Sequence, residues 1–179
     1  MLLRLEDGET ISKRDAREVA ILVARPEVTI TWSRYAPGER GPSLHVHREH
    51  TDAFYVLEGE LTFELGPQAE ELRAPAGTFV AAPPNVGHGF LNASGAEARW
   101  LNIHAPDAGF AAYMRGARDG VKVEFDSFDM PEDGGRPAGD AVVIAPGEPI
   151  ALPEMRVVVG GTDGYRFEAG DGRVVAIDV

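Results

Sequence analysis

His45-Val46-His47-Arg48-Glu49-His50-Thr51-Asp52-Ala53-Phe54-Tyr55-Val56-Leu57-Glu58-Gly59 is the stretch on which the fold of this chain turns. His45 and His47 stand at i and i+2, so on a strand both imidazoles point to one face. A second stretch, Gly77-Thr78-Phe79-Val80-Ala81-Ala82-Pro83-Pro84-Asn85-Val86-Gly87-His88-Gly89-Phe90-Leu91-Asn92, brings a third histidine after a proline-rich turn. Three imidazoles on neighbouring strands make a facial set, which leaves positions open on a divalent metal for water or substrate.

Together the two stretches resemble the paired motifs of the cupin superfamily. The first motif of that family runs Gly, five residues, His-x-His, three or four residues, Glu, six residues, Gly; His45, His47 and the closing Gly59 fall in register with it. Asp52 stands where the family has Glu, and the opening glycine is displaced, Gly38 lying one residue too far from His45 and Gly41 too near. The second motif runs Gly, five residues, Pro-x-Gly, two residues, His, three residues, Asn. Gly77, Pro83, His88 and Asn92 match its spacing. Asn85 replaces the turn glycine, a mild change because Asn also tolerates the left-handed conformation. The resemblance covers residues 31–106 and implies an all-β, jelly-roll barrel of the small metal-binding, quercetinase-like (dioxygenase) kind. It implies one divalent transition metal (Fe, Mn, Ni, Cu or Zn) on His45, His47 and His88, with Asp52 as ligand or base. Asp52 is one methylene shorter than Glu, so it either draws the metal toward itself, reaches it through water, or stands behind the histidines. A ligating Asp52 would cut the site charge from +2 to +1, weakening its pull on anionic substrates.

Composition bounds the rest. At 179 residues the chain has the length of one domain, with or without an extension, and a 44% apolar fraction suffices for a core. The net charge of -12 disfavours nucleic acid and anionic membranes as partners. With no cysteine there is no disulfide framework, thiolate metal site or cysteine nucleophile. Met1-Leu2-Leu3-Arg4-Leu5-Glu6-Asp7 lacks the apolar core of a signal peptide, and no run is apolar enough to span a bilayer as a helix. A cytoplasmic protein is the expectation.

Frequent Gly and Pro cut the chain into short segments. Strands are expected at 19–24, 28–35, 43–47, 53–57, 61–65, 78–82, 87–92 and 99–104, with a tight hairpin turn at Glu58-Gly59. Residues 1–30 read as N-terminal strands, 31–106 as the barrel core, and 107–119 as a short helix. In that helix Asp107 caps a stripe of Phe110, Tyr113, Met114 and Ala117, expected to pack outside the barrel. Residues 120–179 form a β-rich extension, which begins with a linker-like acidic stretch at 129–137 and packs on the barrel or on a partner chain. A homodimer built partly from terminal strands is expected.

His50 breaks the i, i+2 parity and is expected at the rim, as is His104. Phe54, Tyr55, Phe63, Phe79, Phe90 and Trp32 are candidates for the lining, though most are expected to serve as core. The functional expectation is a metal-dependent dioxygenase acting on a small enolic or aromatic compound. The alternatives are a non-redox metal-dependent isomerase, lyase or decarboxylase, and a small-ligand-binding or sensing protein without catalysis.

Overall fold

Period-two alternation of apolar and polar residues makes the middle of the chain a set of half-buried strands. The computed structural model describes residues 7–147 and, beyond them, the backbones of Leu2–Leu3, Ile150–Leu152, Met155–Val158, Tyr165–Ala169 and Val174–Ile177. In order, the strands of the main body are β2 (Glu9–Lys13), β3 (Arg17–Arg25), β4 (Val28–Tyr35), β5 (His45–Val46), β6 (Thr51–Glu58), β7 (Glu60–Leu65), β8 (Glu70–Pro75), β9 (Phe79–Ala82), β10 (His88–Leu91) and β11 (Ala98–Ala105). Helix α1 (Phe110–Asp119) follows, then β12 (Phe128–Asp129), a 3-10 turn at Ala138–Asp140 and β13 (Val142–Ile144). Leu2–Leu3 is β1, and the four C-terminal strands are β14 to β17.

A seven-stranded sheet runs β13-β9-β6-β11-β4-β3-β2, and a five-stranded sheet runs β12-β5-β10-β7-β8. Every pairing in these two sheets is antiparallel. Their inner side chains merge in one core of Phe54, Val56, Leu61, Phe63, Phe90 and Trp100, the jelly-roll arrangement. Among the described residues no ladder joins the two sheets, so the jelly roll is not a closed barrel. The terminal strands form a third sheet, β1-β17-β16-β15-β14.

Parity in β6 sorts the aromatics. Asp52, Phe54 and Val56 face the inner core, whereas Ala53 and Tyr55 join Trp32, Phe79, Ala81 and Leu101 in a second cluster on the opposite face. Of the aromatics named as lining candidates, Phe90 alone borders the cavity described below. The Glu58-Gly59 hairpin forms as expected, with Gly59 at φ +71. A Cβ there would lie 2.3 Å from the carbonyl oxygen of Glu97, so both conformation and space require glycine.

Three features differ from the reading of the sequence. The charged strand β8, Glu70-Glu71-Leu72-Arg73-Ala74-Pro75, escapes a pattern search because it is an edge strand that shows mostly polar groups to water. The stretch at 129–137 is not a linker. Asp129 closes β12 opposite His45, and Arg136 bridges to Val86. The helix does begin under Asp107, whose carboxylate accepts from the amides of Ala111 (2.9 Å) and Gly109 (3.1 Å). It does not lie outside, however: Phe110, Tyr113, Met114 and Ala117 line the inner cavity.

Candidate metal centre

β5 and β10 lie side by side with His45 directly opposite His88. His47 follows β5 by one residue and is pinned by the proline turn, where the Asn85 amide donates to the His47 carbonyl at 2.7 Å. Asn85 has φ +66, the left-handed conformation its place in the turn requires. The three ring centroids are 4.4 to 4.9 Å apart, and one nitrogen of each ring lies within 4.8 Å of the others.

Each Nδ1 faces a backbone carbonyl: Ser43 for His45 (2.9 Å), Val86 for His88 (3.0 Å) and Asp126 for His47. A carbonyl oxygen only accepts, so Nδ1 carries the hydrogen and each neutral ring presents its lone pair at Nε2. The Nε2 of His47 is buried and has no hydrogen-bond partner. Asp52 Oδ2 lies 3.2 Å from His88 Nε2 and 3.7 Å from His47 Nε2. With neutral rings these are acceptors facing acceptors, an arrangement that repels until a cation lies among them. The donor set therefore fits a divalent ion: His45, His47 and His88 lie close enough together to hold one, and Asp52 stands beside His88 and His47.

The electrostatics agree. Burial pushes the His45 imidazole down to about 4, helped by His88 and His47, so it is neutral as a ligand must be. Burial pushes Asp52 up, whereas His104, His47 and His88, when protonated, outweigh this and hold its carboxyl well below the usual range. The other oxygen of Asp52, Oδ1, accepts from the Asn102 amide and lies 3.5 Å from His104 Nε2.

His50 and His104 are not at the rim, contrary to the reading of the sequence; their exposures are 1% and 2%. His104 faces inward because it pairs with Asp52 across β11 and β6, and Phe110 of α1 stacks on its ring at 3.5 Å. His50 turns in because the carboxylate of Asp126 gathers the amides of Arg48 and Glu49 and the ring Nδ1 of His50 (2.8 Å), folding the loop beneath His47. His47, His50 and His104 also cluster closely enough to hold a metal. Their nitrogens are otherwise engaged, since His50 Nε2 meets His104 Nδ1 at 2.8 Å and His104 Nε2 meets Asn102 Oδ1 at 3.1 Å.

Asp126 Oδ2 and Asn102 Oδ1 thus end a chain of three contacts with acceptors at both ends. Asn102 is fixed in this orientation because its amide donates to Asp52 and to the carbonyl of Ala53 (3.2 Å). Burial lowers His50 and takes His104 down to about 3, keeping both rings neutral. Two neutral rings bring two N–H hydrogens to three contacts, so the chain stands one proton short. Asp126 and Asn102 were not among the sequence candidates. Trp100-x-Asn102-x-His104 has the alternation of an inward face, but nothing at 120–130 announces Asp126.

A cavity of about 640 Å³ opens over the site. His45, His47, Asp52, Asn102 and His104 border it, as do apolar Ile11, Val19, Phe90, Trp100, Phe110 and Met114. Among the described residues no helix is long and apolar enough to cross a membrane.

Residues 31–104 match the cupin domain family. Among solved structures, KdgF from Halomonas sp. is similar at 19% identity and a TM-score of 0.52, the match covering 59% of this chain and 93% of that one. An RmlC-like cupin from Shewanella frigidimarina NCIMB 400 is similar at 23% identity and a TM-score of 0.49, over 56% of this chain and 86% of its own. The polyketide cyclase RemF from Streptomyces resistomycificus is similar at 22% identity and a TM-score of 0.49, over 57% and 76%. No curated protein matches the chain. Motif spacing, jelly-roll topology and the family match converge on one statement: residues 31–104 of this chain are a cupin domain.

Proposed function

We propose that this protein is a metal-dependent enzyme of the dioxygenase type, acting on a small enolic or aromatic compound. His45, His47, His88 and Asp52 would hold the ion. The observation that carries the reading is the fixed tautomer of the three rings: each Nδ1 is held by a carbonyl, leaving three Nε2 lone pairs beside an ionised carboxylate at the floor of an aromatic-walled cavity. When bound, the metal supplies charge to stabilise an enolate oxygen and, if redox-active, a route for electrons toward oxygen. Asp52 is placed to accept the enol proton as the substrate enters. Behind it His104 Nε2, 3.5 Å from Oδ1, begins the chain through His50 to Asp126 that is one proton short. Phe90 and Phe110 border the cavity and give it apolar surface beside the reacting atoms.

That proton-deficient chain favours a second reading as well, a non-redox isomerase, lyase or decarboxylase that moves a proton without oxygen. Elemental mass spectrometry of the tag-free protein, followed by an oxygen electrode with enolic substrates, separates the two. The expected result is near-stoichiometric Fe, Mn, Ni, Cu or Zn that is lost in the His45→Ala/His88→Ala variant, with oxygen uptake that depends on substrate. Turnover equal with and without oxygen would move the protein to the second reading. Protein that takes up no metal even on reconstitution would leave a ligand-binding fold.

A further inference from the structure

The cavity wall is basic in an acidic protein. The chain has 29 Asp and Glu against 17 Lys and Arg, yet the charged residues bordering the cavity are Lys13, Arg14, Arg17 and Arg118 against the single carboxylate of Asp52. Three of the four cations are already matched. Lys13 pairs with Glu18 at 3.2 Å, Arg17 with Glu39 at 3.0 Å, and Arg118 with Glu9 and Asp119 at 2.7 Å each. Arg14 is not; its side chain has neither ion pair nor hydrogen bond among the described residues, while its backbone is fixed by reciprocal bonds with Arg17 across the β2–β3 turn. Asp15 beside it is exposed and does not border the cavity.

A row of inward positions leads from the metal centre to that turn. On β4 and β11 the inward pairs are Thr31 opposite Asn102, Ser33 opposite Trp100 and Tyr35 opposite Ala98; Arg17 of β3 then lies opposite Tyr35. Thr31 and Ser33 border the cavity at 1% and 5% exposure, and neither hydroxyl makes a hydrogen bond among the described residues. The indole N–H of Trp100, in the same wall and 1% exposed, also has no acceptor. Hydroxyls that border a cavity without a protein partner are free to hydrogen-bond a molecule bound there. From the Thr31 rung to the Tyr35 rung is four residues of strand, about 13 Å. Val19, beside Ser33 in the same sheet, and Ile11 of β2 give that wall apolar surface, and Phe90 of the other sheet and Met114 of α1 add more from elsewhere around the cavity.

We infer that the substrate is an elongated carboxylate. Its reacting end lies at the metal centre, its polar edge lies along the Thr31 and Ser33 hydroxyls, and its carboxylate lies on Arg14. One free guanidinium matches one carboxylate, which it can bind through two parallel hydrogen bonds. Apolar atoms of the substrate pack on Val19, Phe90 and Met114. This assignment rests on the metal-enzyme reading of the same site and adds to it the charge and length of the substrate.

Caffeate carries a catechol and a carboxylate at opposite ends, and its methyl ester differs only in charge. Both are titrated calorimetrically into zinc-reconstituted protein of verified metal content, and into Arg14→Ala, whose exposed site leaves the fold intact on thermal melting. The expected result is that caffeate binds roughly tenfold tighter than its ester to the wild-type protein. In Arg14→Ala that preference falls to near one while the ester binds as before. Equal binding of acid and ester, a preference that survives in Arg14→Ala, or no binding of either at millimolar concentration would overturn the assignment. Failure of the metal reading shows separately, as protein that takes up no zinc.

Discussion

Asp126 does more for the site than its place in the chain suggests. Its carbonyl fixes the tautomer of His47, while its carboxylate gathers the amides of Arg48 and Glu49 and the ring of His50. Burial pushes this carboxyl up, but the two amides and His50 together hold it below its ordinary value, so it stays ionised. Asp126→Ala leaves two amides and a buried imidazole without their acceptor, at a cost of about 1–3 kcal/mol. Because that loop orients His47, metal affinity should fall roughly 10- to 100-fold. Denaturant titration reads the first effect and competition with a chelator the second; unchanged metal affinity would show that the carboxylate has no hold on His47. The clustering of His45, His47 and His88 was legible from spacing and the motif resemblance, since i, i+2 parity and the distance to the second motif are local properties. His50, His104 and Asp126 were not, because their inward placement depends on a hydrogen bond that closes a loop from far along the chain and on strand register.

Strands and turns carried most of the readable information, and the failures follow from the same physics. β3, β4, β6, β7, β9, β10 and β11 all fall where alternation put them. β8 was hidden because an edge strand needs few apolar residues, and β12 because two residues have no period. The stripe on α1 was correctly seen as apolar, but a stripe does not say which surface it covers. Here the Thr29 hydroxyl, which donates to Asp107 at 2.5 Å, and the ion pairs of Arg115 and Arg118 with Glu9 turn the helix toward the cavity. The β6–β7 turn gives the sharpest test at this scale. Gly59→Ala places a Cβ against the Glu97 carbonyl in a left-handed residue, so a loss of at least about 1–2 kcal/mol is expected by denaturant unfolding. A change within a few tenths of a kcal/mol would mean that the turn can reshape at little cost.

The molecule as a whole should be acid-sensitive, because its buried titrating groups pull in one direction. Burial lowers His45 and His104 in the folded metal-free protein, to about 4 and about 3. The unfolded chain therefore takes up protons first, and stability falls as the pH drops below about 6.5 toward those values. Glu9 is lowered chiefly by Arg115, with Arg118 adding to it against burial. In Asp107 burial raises the pKa, but Thr29 and the amides of Ala111 and Gly109 outweigh it. Both carboxylates stabilise the fold above their unfolded pKa and cease to as they protonate, so acid loosens α1 too. The denaturant midpoint of metal-free protein should fall steadily between about pH 7 and pH 4; a flat profile would contradict the burial of these histidines. The proposed homodimer belongs at this scale as well. β13 ends the seven-stranded sheet with Val142 and Val143 exposed at 41% and 44%, an edge suited to pairing with a second copy. Light scattering at micromolar concentration should give twice the 19.2 kDa chain mass, and a monomeric mass would remove the proposal.

Because the clasp on His47 comes from Asp126, the order of synthesis matters. A ribosome delivers both histidine motifs before the residue that orients them, so a nascent chain can fold its sheets and still present loose imidazoles. Metal captured at that stage would meet a flexible site that selects by affinity alone, where the tightest-binding ion wins. The finished protein offers rigid geometry instead. If the protein takes up a metal, the ion it carries would thus depend on whether loading occurs before or after the Asp126 segment closes, and a copy translated under copper excess need not carry the metal of one refolded in a test tube.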